Sequence, residues 1–218
     1  MALATEATGR FNRHGVDDAP GSACIAWGDV HGAGERVQRE LVERAQHGDV
    51  DAFRDLVYEA GRRLYGIAYR ILRDPDRAQD ALQQALIQLW DGLPGLRDPD
   101  RFDAWSYRLV VHASYREARR ERTWTARVGE IKVDPPDDDR VAEVIDRDEV
   151  ERSFRRLTPE HRAILVLHFV IGLPIREVAD VLGIPMGTAS SRLHYATQSF
   201  RAAFEADARG AGARRTTP

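Results

Sequence analysis

Between Ile175 and Leu193 the chain reads IREVADVLGIPMGTASSRL. Its later half is a run of small and hydroxyl residues, Gly187, Thr188, Ala189, Ser190 and Ser191, followed by Arg192 and His194, with no acidic residue before Glu205. Hydroxyls, a guanidinium and free backbone N–H groups at the start of a helix are groups that contact phosphates and base edges. A second set lies between Arg108 and Arg127, where Arg108, Arg116, Arg119, Arg120, Arg122 and Arg127 stand against Glu117 and Glu121. Such arginines can neutralise phosphates. Aromatic side chains beside a basic face can hold unstacked bases, and Trp105, Tyr107, Tyr115 and Trp124 are the candidates. Trp105, three residues beyond Phe102, reads better as core.

These groups need helices to present them. Val178, Ala179 and Leu182 recur at helical spacing. Gly183 stops that helix in a left-handed turn, and Pro185 can open the next. The pattern is that of a helix-turn-helix whose second helix enters a major groove. It is equally that of an ordinary αα-hairpin, and the upstream sequence must decide.

The 218 residues suit one or two domains, and 43% apolar with 31% charged residues points to a globular helical protein. The net charge of −3 hides segregation: residues 108–127 are basic, whereas 134–151, with Asp137, Asp138 and Asp139, are acidic. Cys24 stands alone, which excludes an internal disulfide framework and a cysteine-rich zinc site. No apolar run has membrane-spanning length and the N-terminus lacks a secretory core, so a cytoplasmic protein is expected. Enzyme motifs are missing: there is no phosphate loop, nucleophile elbow or zinc-protease helix. His14, Cys24 and His31 are too loosely spaced for a metal, and the aspartate run reads as solvated linker, so no metal and no cofactor are expected.

Residues 1–37 lack apolar rhythm and read as a disordered tail. Four apolar stripes follow. Leu41, Val42 and Ala45 form the first. Asp49 caps a second helix bearing Phe53, Leu56, Val57, Ala60, Leu64, Ile67, Ala68 and Ile71. Pro75 opens a third with Ala78, Ala81, Leu82, Ala85, Leu86 and Leu89. After the break at Gly92-Leu93-Pro94-Gly95, a fourth carries Phe102, Trp105 and Leu109 inward. Four helices with short connections make a small bundle over 38–122. Residues 123–146, with Pro135-Pro136 and the aspartates, read as a flexible acidic linker. A second helical domain spans 147–206, with Thr158-Pro159 starting a helix, and 207–218 read as a disordered tail. The fold class is therefore all-α, two small helical domains joined by a linker.

Several phrases carry a resemblance. Leu41 to Asp49 with Ala52-Phe53, Ala78-Gln79-Asp80-Ala81-Leu82-Gln83-Gln84-Ala85, and Arg101-Phe102-Asp103-Ala104-Trp105-Ser106-Tyr107-Arg108-Leu109 are similar to the promoter-binding domain of bacterial sigma factors. Leu157-Thr158-Pro159-Glu160-His161-Arg162 and Gly187 to Leu193 are similar to the domain that reads the upstream promoter element. In this order, over roughly residues 38 to 206, the chain resembles the extracytoplasmic-function class, the compact sigma factors with only these two domains. Physics agrees with such a task. Two promoter elements roughly two helical turns apart lie about 70 Å from each other, and a linker of about 25 residues reaches about 80 Å when extended.

The resemblance implies partners and roles. The partners are core RNA polymerase (the β′ coiled coil and the β flap), promoter DNA and an anti-sigma factor, with no membrane insertion and a free monomer. The linker would thread toward the polymerase's RNA path. The minus-ten element would meet Arg97, Arg101, Arg108, His112, Tyr115, Arg116, Arg119 and Arg120, with the loop from Gly92 to Asp100 forming the pocket for a flipped base. The minus-thirty-five element would meet Arg176, Gly187, Thr188, Ser190, Ser191, Arg192 and His194. The β′ coiled coil would dock on Asp80, Gln83, Gln84 and Gln88. Five positions depart from the family pattern, among them Gln79 and Gln84, which stand where glutamates are common. His112 replaces an asparagine that could pair bidentately with adenine. Ser190 replaces a lysine, and Ala189 replaces a valine under the recognition helix. Two other functions share the same features: a stand-alone helix-turn-helix regulator with a sensing domain, and a degenerate sigma-like interaction module that binds no promoter.

Overall fold

The computed structural model describes the backbone of residues 33–128 and 144–215, with side chains over 38–123 and 150–207. Among the described residues there are helices and turns and no strand. The first domain comprises α1 (Ala33–Gln46), α2 (Val50–Leu72), α3 (Pro75–Gly92) and α4 (Phe102–Val128). Its boundaries follow local chemistry. Gly48, at φ +88°, lets the chain reverse after α1. Asp49 accepts from the Ala52 N–H at 3.0 Å and caps α2; Asp74 accepts from the Arg77 N–H at 2.9 Å and caps α3, whose first residue is Pro75. The stripes read from the sequence meet in one core: Leu56, Leu64, Ile67 and Ile71 of α2, Ala81, Ala85 and Leu89 of α3, and Phe102, Val110 and Val111 of α4 are all buried. One polar knot crosses this domain. Asp103 accepts from both ends of the Arg63 guanidinium at 3.0 and 3.2 Å and from Gln38 at 2.8 Å, tying α1, α2 and α4 together.

The second domain holds α5 (Val144–Arg155), α6 (Pro159–Leu165), a π turn over Val166–Val170, α7 (Ile175–Leu182) and α8 (Met186–Arg215). Thr158 caps α6 by accepting from the His161 N–H at 3.2 Å. Leu157, Ile164, Leu167, Val178, Leu182, Ala189 and Ala196 form the core. The two domains are in contact: α2 and α4 lie against α6, and α4 also lies against α7.

Several bounds differ from those expected. Helix α1 begins at Ala33 rather than near Gln38. Helix α4 runs through 123–128, where neither glycine nor proline interrupts propagation, and α5 starts at Val144, so both helices cut into the expected linker. Helix α8 continues to Arg215, where a disordered tail from 207 was expected. Asp207 anchors the helix at the point where the tail was expected to begin. It is only 8% exposed, accepts from the Ser153 hydroxyl at 3.2 Å and pairs with Arg156 at 2.6 Å, which fastens the end of α8 to α5 and its exit. Residues 1–32 and 129–143, with His14, Cys24, His31 and Asp137 to Asp139, lie outside the described residues, as do the side chains of Trp124 and Arg127.

Candidate nucleic-acid interface

The helix-turn-helix is built as its spacing predicts. Val178, Ala179 and Leu182 bury one face of α7. Gly183 turns at φ +66°, its N–H donating to Asp180 O at 3.2 Å, while the Ile184 N–H donates to Ala179 O at 3.1 Å. Helix α8 then starts with Gly187, Thr188, Ser190 and Ser191 exposed and Ala189 fully buried beneath them. Arg192 is half-buried and His194 exposed, its Nε2 lying 3.0 Å from Gln198 Nε2 one turn on. Arg176 is exposed on α7. An α8 start with no acidic residue, free N–H groups and hydroxyls at the surface offers groups of the kind that contact phosphates and base edges.

Helix α4 presents the second surface. Arg108, His112, Tyr115 and Arg119 follow at spacings of four, three and four residues, with Arg116 four beyond His112, and so share one side of the helix. Arg108, Arg116, Arg119 and Arg120 are exposed, and Tyr115 stands edge-on to His112 with ring centroids 6.3 Å apart. Burial first, then the charges of Arg108, Arg116 and Arg119, hold the His112 imidazole below its ordinary pKa. The stripe therefore has a neutral ring at its centre and cations on both sides. A neutral imidazole offers one donor and one acceptor.

Two of the aromatic candidates for base stacking are placed differently from the expectation. Tyr107 is 3% exposed and lies under Arg63, whose Cζ is 5.6 Å from its ring; it belongs to the core and cannot receive a base. Tyr115 is half-buried, with its hydroxyl closed off from solvent. Trp105 packs against the core edge-on to Phe102 at 6.3 Å.

The loop between α3 and α4 is held from α1. The Gln46 side-chain amide donates to Leu93 O at 3.1 Å and to Leu96 O at 2.6 Å, and Arg39 donates through Nε to Asp100 at 2.8 Å. Asp98 accepts from the Asp100 N–H at 3.1 Å, shaping the turn that leads into α4. Gln46 was invisible to sequence reasoning, because nothing in a polar residue at a helix end signals which loop it will reach. Arg97 and Arg101 are exposed on this loop. The loop also leaves no room at Gly92, where an added Cβ would stand 2.9 Å from Trp105 Cζ2. Gly92→Ala is expected to destabilise the first domain by about 1–3 kcal/mol through this overpacking. A urea midpoint equal to or above that of the parent would show that the indole yields freely.

On α3, Asp80, Gln83 and Gln84 are exposed and Gln88 half-buried, opposite the buried Ala78, Ala81, Ala85 and Leu89. Sequence reading missed two apolar members of this face. Ile87 and Trp90 are exposed, and Trp90 meets Phe53 edge-on at 4.6 Å. Their signal was available, since neither falls on the buried stripe. In the second domain the π turn, unforeseen in the sequence, puts Phe169 (63% exposed) and Val170 at the surface. No group of three or more metal-ligating side chains occurs among the described residues, and no described helix is long and apolar enough to cross a membrane.

Residues 56–124 match the family described as Sigma-70 region 2, and residues 154–202 match Sigma-70, region 4. The chain is 33% identical over 169 residues to the ECF RNA polymerase sigma factor SigM of Mycobacterium tuberculosis, covering 77% of this chain and 83% of SigM. It is 22% identical over 182 residues to the ECF RNA polymerase sigma factor SigW of Bacillus subtilis, covering 77% of this chain and 96% of SigW. Among solved structures, CnrH in complex with the cytosolic domain of CnrY aligns with a TM-score of 0.55 at 26% identity, over 78% of this chain and 99% of that one. The two matched regions fall on the two surfaces just described, α4 with its loop and the α7–α8 turn. With two region matches in order and a relative of this identity and coverage, the chain belongs to the extracytoplasmic-function RNA polymerase sigma factors.

Proposed function

We propose that α4 and the 92–101 loop read and help melt the minus-ten element, while the start of α8 reads the minus-thirty-five element. On α4 and its loop, Arg97, Arg101, Arg108, Arg116, Arg119 and Arg120 take phosphates, with His112 and Tyr115 beside the bases. At the other end, Arg176 and Arg192 take phosphates and the α8 N-terminus through Gly187, Thr188, Ser190, Ser191 and His194 meets the groove. The observation that carries this reading is the exposed arginine stripe on α4 together with an α8 start that shows no acidic side chain. The protein acts in the cytoplasm as a binding subunit without catalysis of its own. Sequencing run-off transcripts made with core polymerase and a genomic promoter library tests the whole assignment; random initiation sites would overturn it.

Core polymerase docks on the exposed α3 face, with Asp80, Gln83, Gln84 and Gln88 toward the β′ coiled coil and Ile87 and Trp90 adding apolar contact. The exposed Phe169 and Val170 fit the second contact, at the β flap. Asp80→Arg is expected to weaken core binding about ten-fold, or about 1.4 kcal/mol, while the urea midpoint stays put, since a solvent-facing substitution costs little stability. An unchanged affinity for core would place the docking surface elsewhere.

A further inference from the structure

Helix α1 runs antiparallel to the 92–101 loop and holds it at both ends. A primary amide carries two N–H donors, and Gln46, the last residue of α1, directs them at Leu93 O (3.1 Å) and Leu96 O (2.6 Å). Leu93 O also receives the Leu96 N–H at 3.1 Å, so Gln46 braces the short 3₁₀ turn Leu93–Gly95 from outside. Two helical turns earlier, Arg39 donates to the Asp100 carboxylate through Nε at 2.8 Å and through a terminal nitrogen as well, a two-pronged charge-assisted contact. Its neighbour Gln38 donates to Asp103 at the start of α4 at 2.8 Å. Positions 38, 39 and 46 are seven and eight residues apart and therefore lie along one side of α1.

Between the two anchors stand the exposed residues Arg97 and Asp98. The loop's own hydrogen bonds are local: besides the Leu96 N–H, the Arg101 N–H donates to Asp98 O and the Asp100 N–H to the Asp98 carboxylate, both at 3.1 Å. Local bonds shape a loop but do not fix its place on the domain. Among the described hydrogen bonds, those of Gln46 and Arg39 are the ones that tie it to a neighbouring element. Helix α1 is a firm support, since Leu41, Val42 and Ala45 are buried in the core. Selecting a base by hydrogen bonds needs donors and acceptors placed to within a few tenths of an ångström. A loop that drifts further loses discrimination first, because phosphate contacts made elsewhere still hold the duplex.

We propose that Gln46 and Arg39 are positioning residues for base selection, fixing where the 92–101 loop stands before DNA arrives. The proposal rests on the reading that this loop holds a minus-ten base; the anchoring itself does not. The test uses the full chain, free and assembled with core polymerase. Gln46→Met keeps a long, unbranched, helix-forming side chain and removes both donors. Arg39→Met removes the other anchor. In the free protein, hydrogen exchange read by peptide mass spectrometry is expected to quicken several-fold over 93–101, where the Leu96, Asp100 and Arg101 N–H groups are bonded, and to keep the parental rate in α2 and α3. In the holoenzyme, run-off transcripts from a library randomised over both promoter elements are expected to show the ratio of best to next base falling several-fold at one minus-ten position. Preferences at the minus-thirty-five element and affinity for core polymerase should stay at parental values. A merely structural loss would lower transcription from every promoter alike and leave the ratio in place. Asp98→Ala, which breaks the turn inside the loop, separates the proposal from the reading beneath it. Unchanged exchange over 93–101 in both methionine variants would show that the anchors do not hold the loop, and the proposal fails. If exchange quickens but base preference moves only with Asp98→Ala, the loop reads without help from α1, and the proposal fails again. If exchange quickens and none of the three variants shifts the preference, the base-reading assignment is lost and the positioning role with it, while the anchoring stands.

Discussion

Phe102→Ala is expected to lower the stability of the first domain by about 3–5 kcal/mol, the range for emptying a buried aromatic site. Phe102 is 1% exposed and is the largest of the fully buried side chains among the described residues. It opens α4 directly after the turn at Pro99–Arg101, and its ring meets Trp105 edge-on. The backbone around it is fixed by Asp98 ahead of it and by the Asp103 knot behind, so the cavity cannot close by shifting the helix start. A loss of this size is a large part of the stability of a small domain. It would appear as a shift of the first-domain transition in urea, with the helix-turn-helix domain unfolding as before if the two melt separately. A loss below about 1 kcal/mol would mean that the start of α4 relaxes into the space.

Replacing Arg116, Arg119 and Arg120 together with alanine is expected to reduce promoter affinity of the holoenzyme and flatten its salt dependence. Each phosphate contact carries about 0.7 to 0.9 of log–log salt slope, so three amount to about 2 to 3. All three side chains are exposed on α4, and the described ion pairs do not consume them, so removing them costs the fold little. The order of the slope is the decisive quantity: a filter-binding titration that keeps the parental slope would take this side of α4 off the DNA backbone. Loss of affinity with an unchanged slope would point instead to damage elsewhere.

Much of this architecture was legible because it rests on local chemistry. Apolar spacing marked the buried faces of α2 and α3, Asp49 and Thr158 marked the starts of α2 and α6, and Gly183 marked the turn of the helix-turn-helix. What escaped depends on distant partners. Tyr107 resembles a surface aromatic until Arg63 and Asp103 are placed over it. The end of α8 resembles a tail until Asp207 reaches Ser153. The π turn at Val166–Val170 has no breaker within it; its signal, Gly172 and Pro174, lies beyond its end. Arg73 carries no glycine signature for its left-handed turn, which closes α2 with the Arg73 N–H on Tyr69 O. Packing of one domain on the other is also beyond periodicity, which describes faces and not their mates.

The loop proposed to hold a base hangs from α1 by one amide and one guanidinium, Gln46 on Leu93 and Leu96, and Arg39 on Asp100. Neither residue belongs to the DNA-facing set. On the role proposed for this loop, promoter preference has a heritable component outside the reading surfaces: an exchange at Gln46 or Arg39 would release the loop without altering any residue assigned to the duplex. Related factors with the same loop residues could then diverge in the promoters they use through their first helix alone.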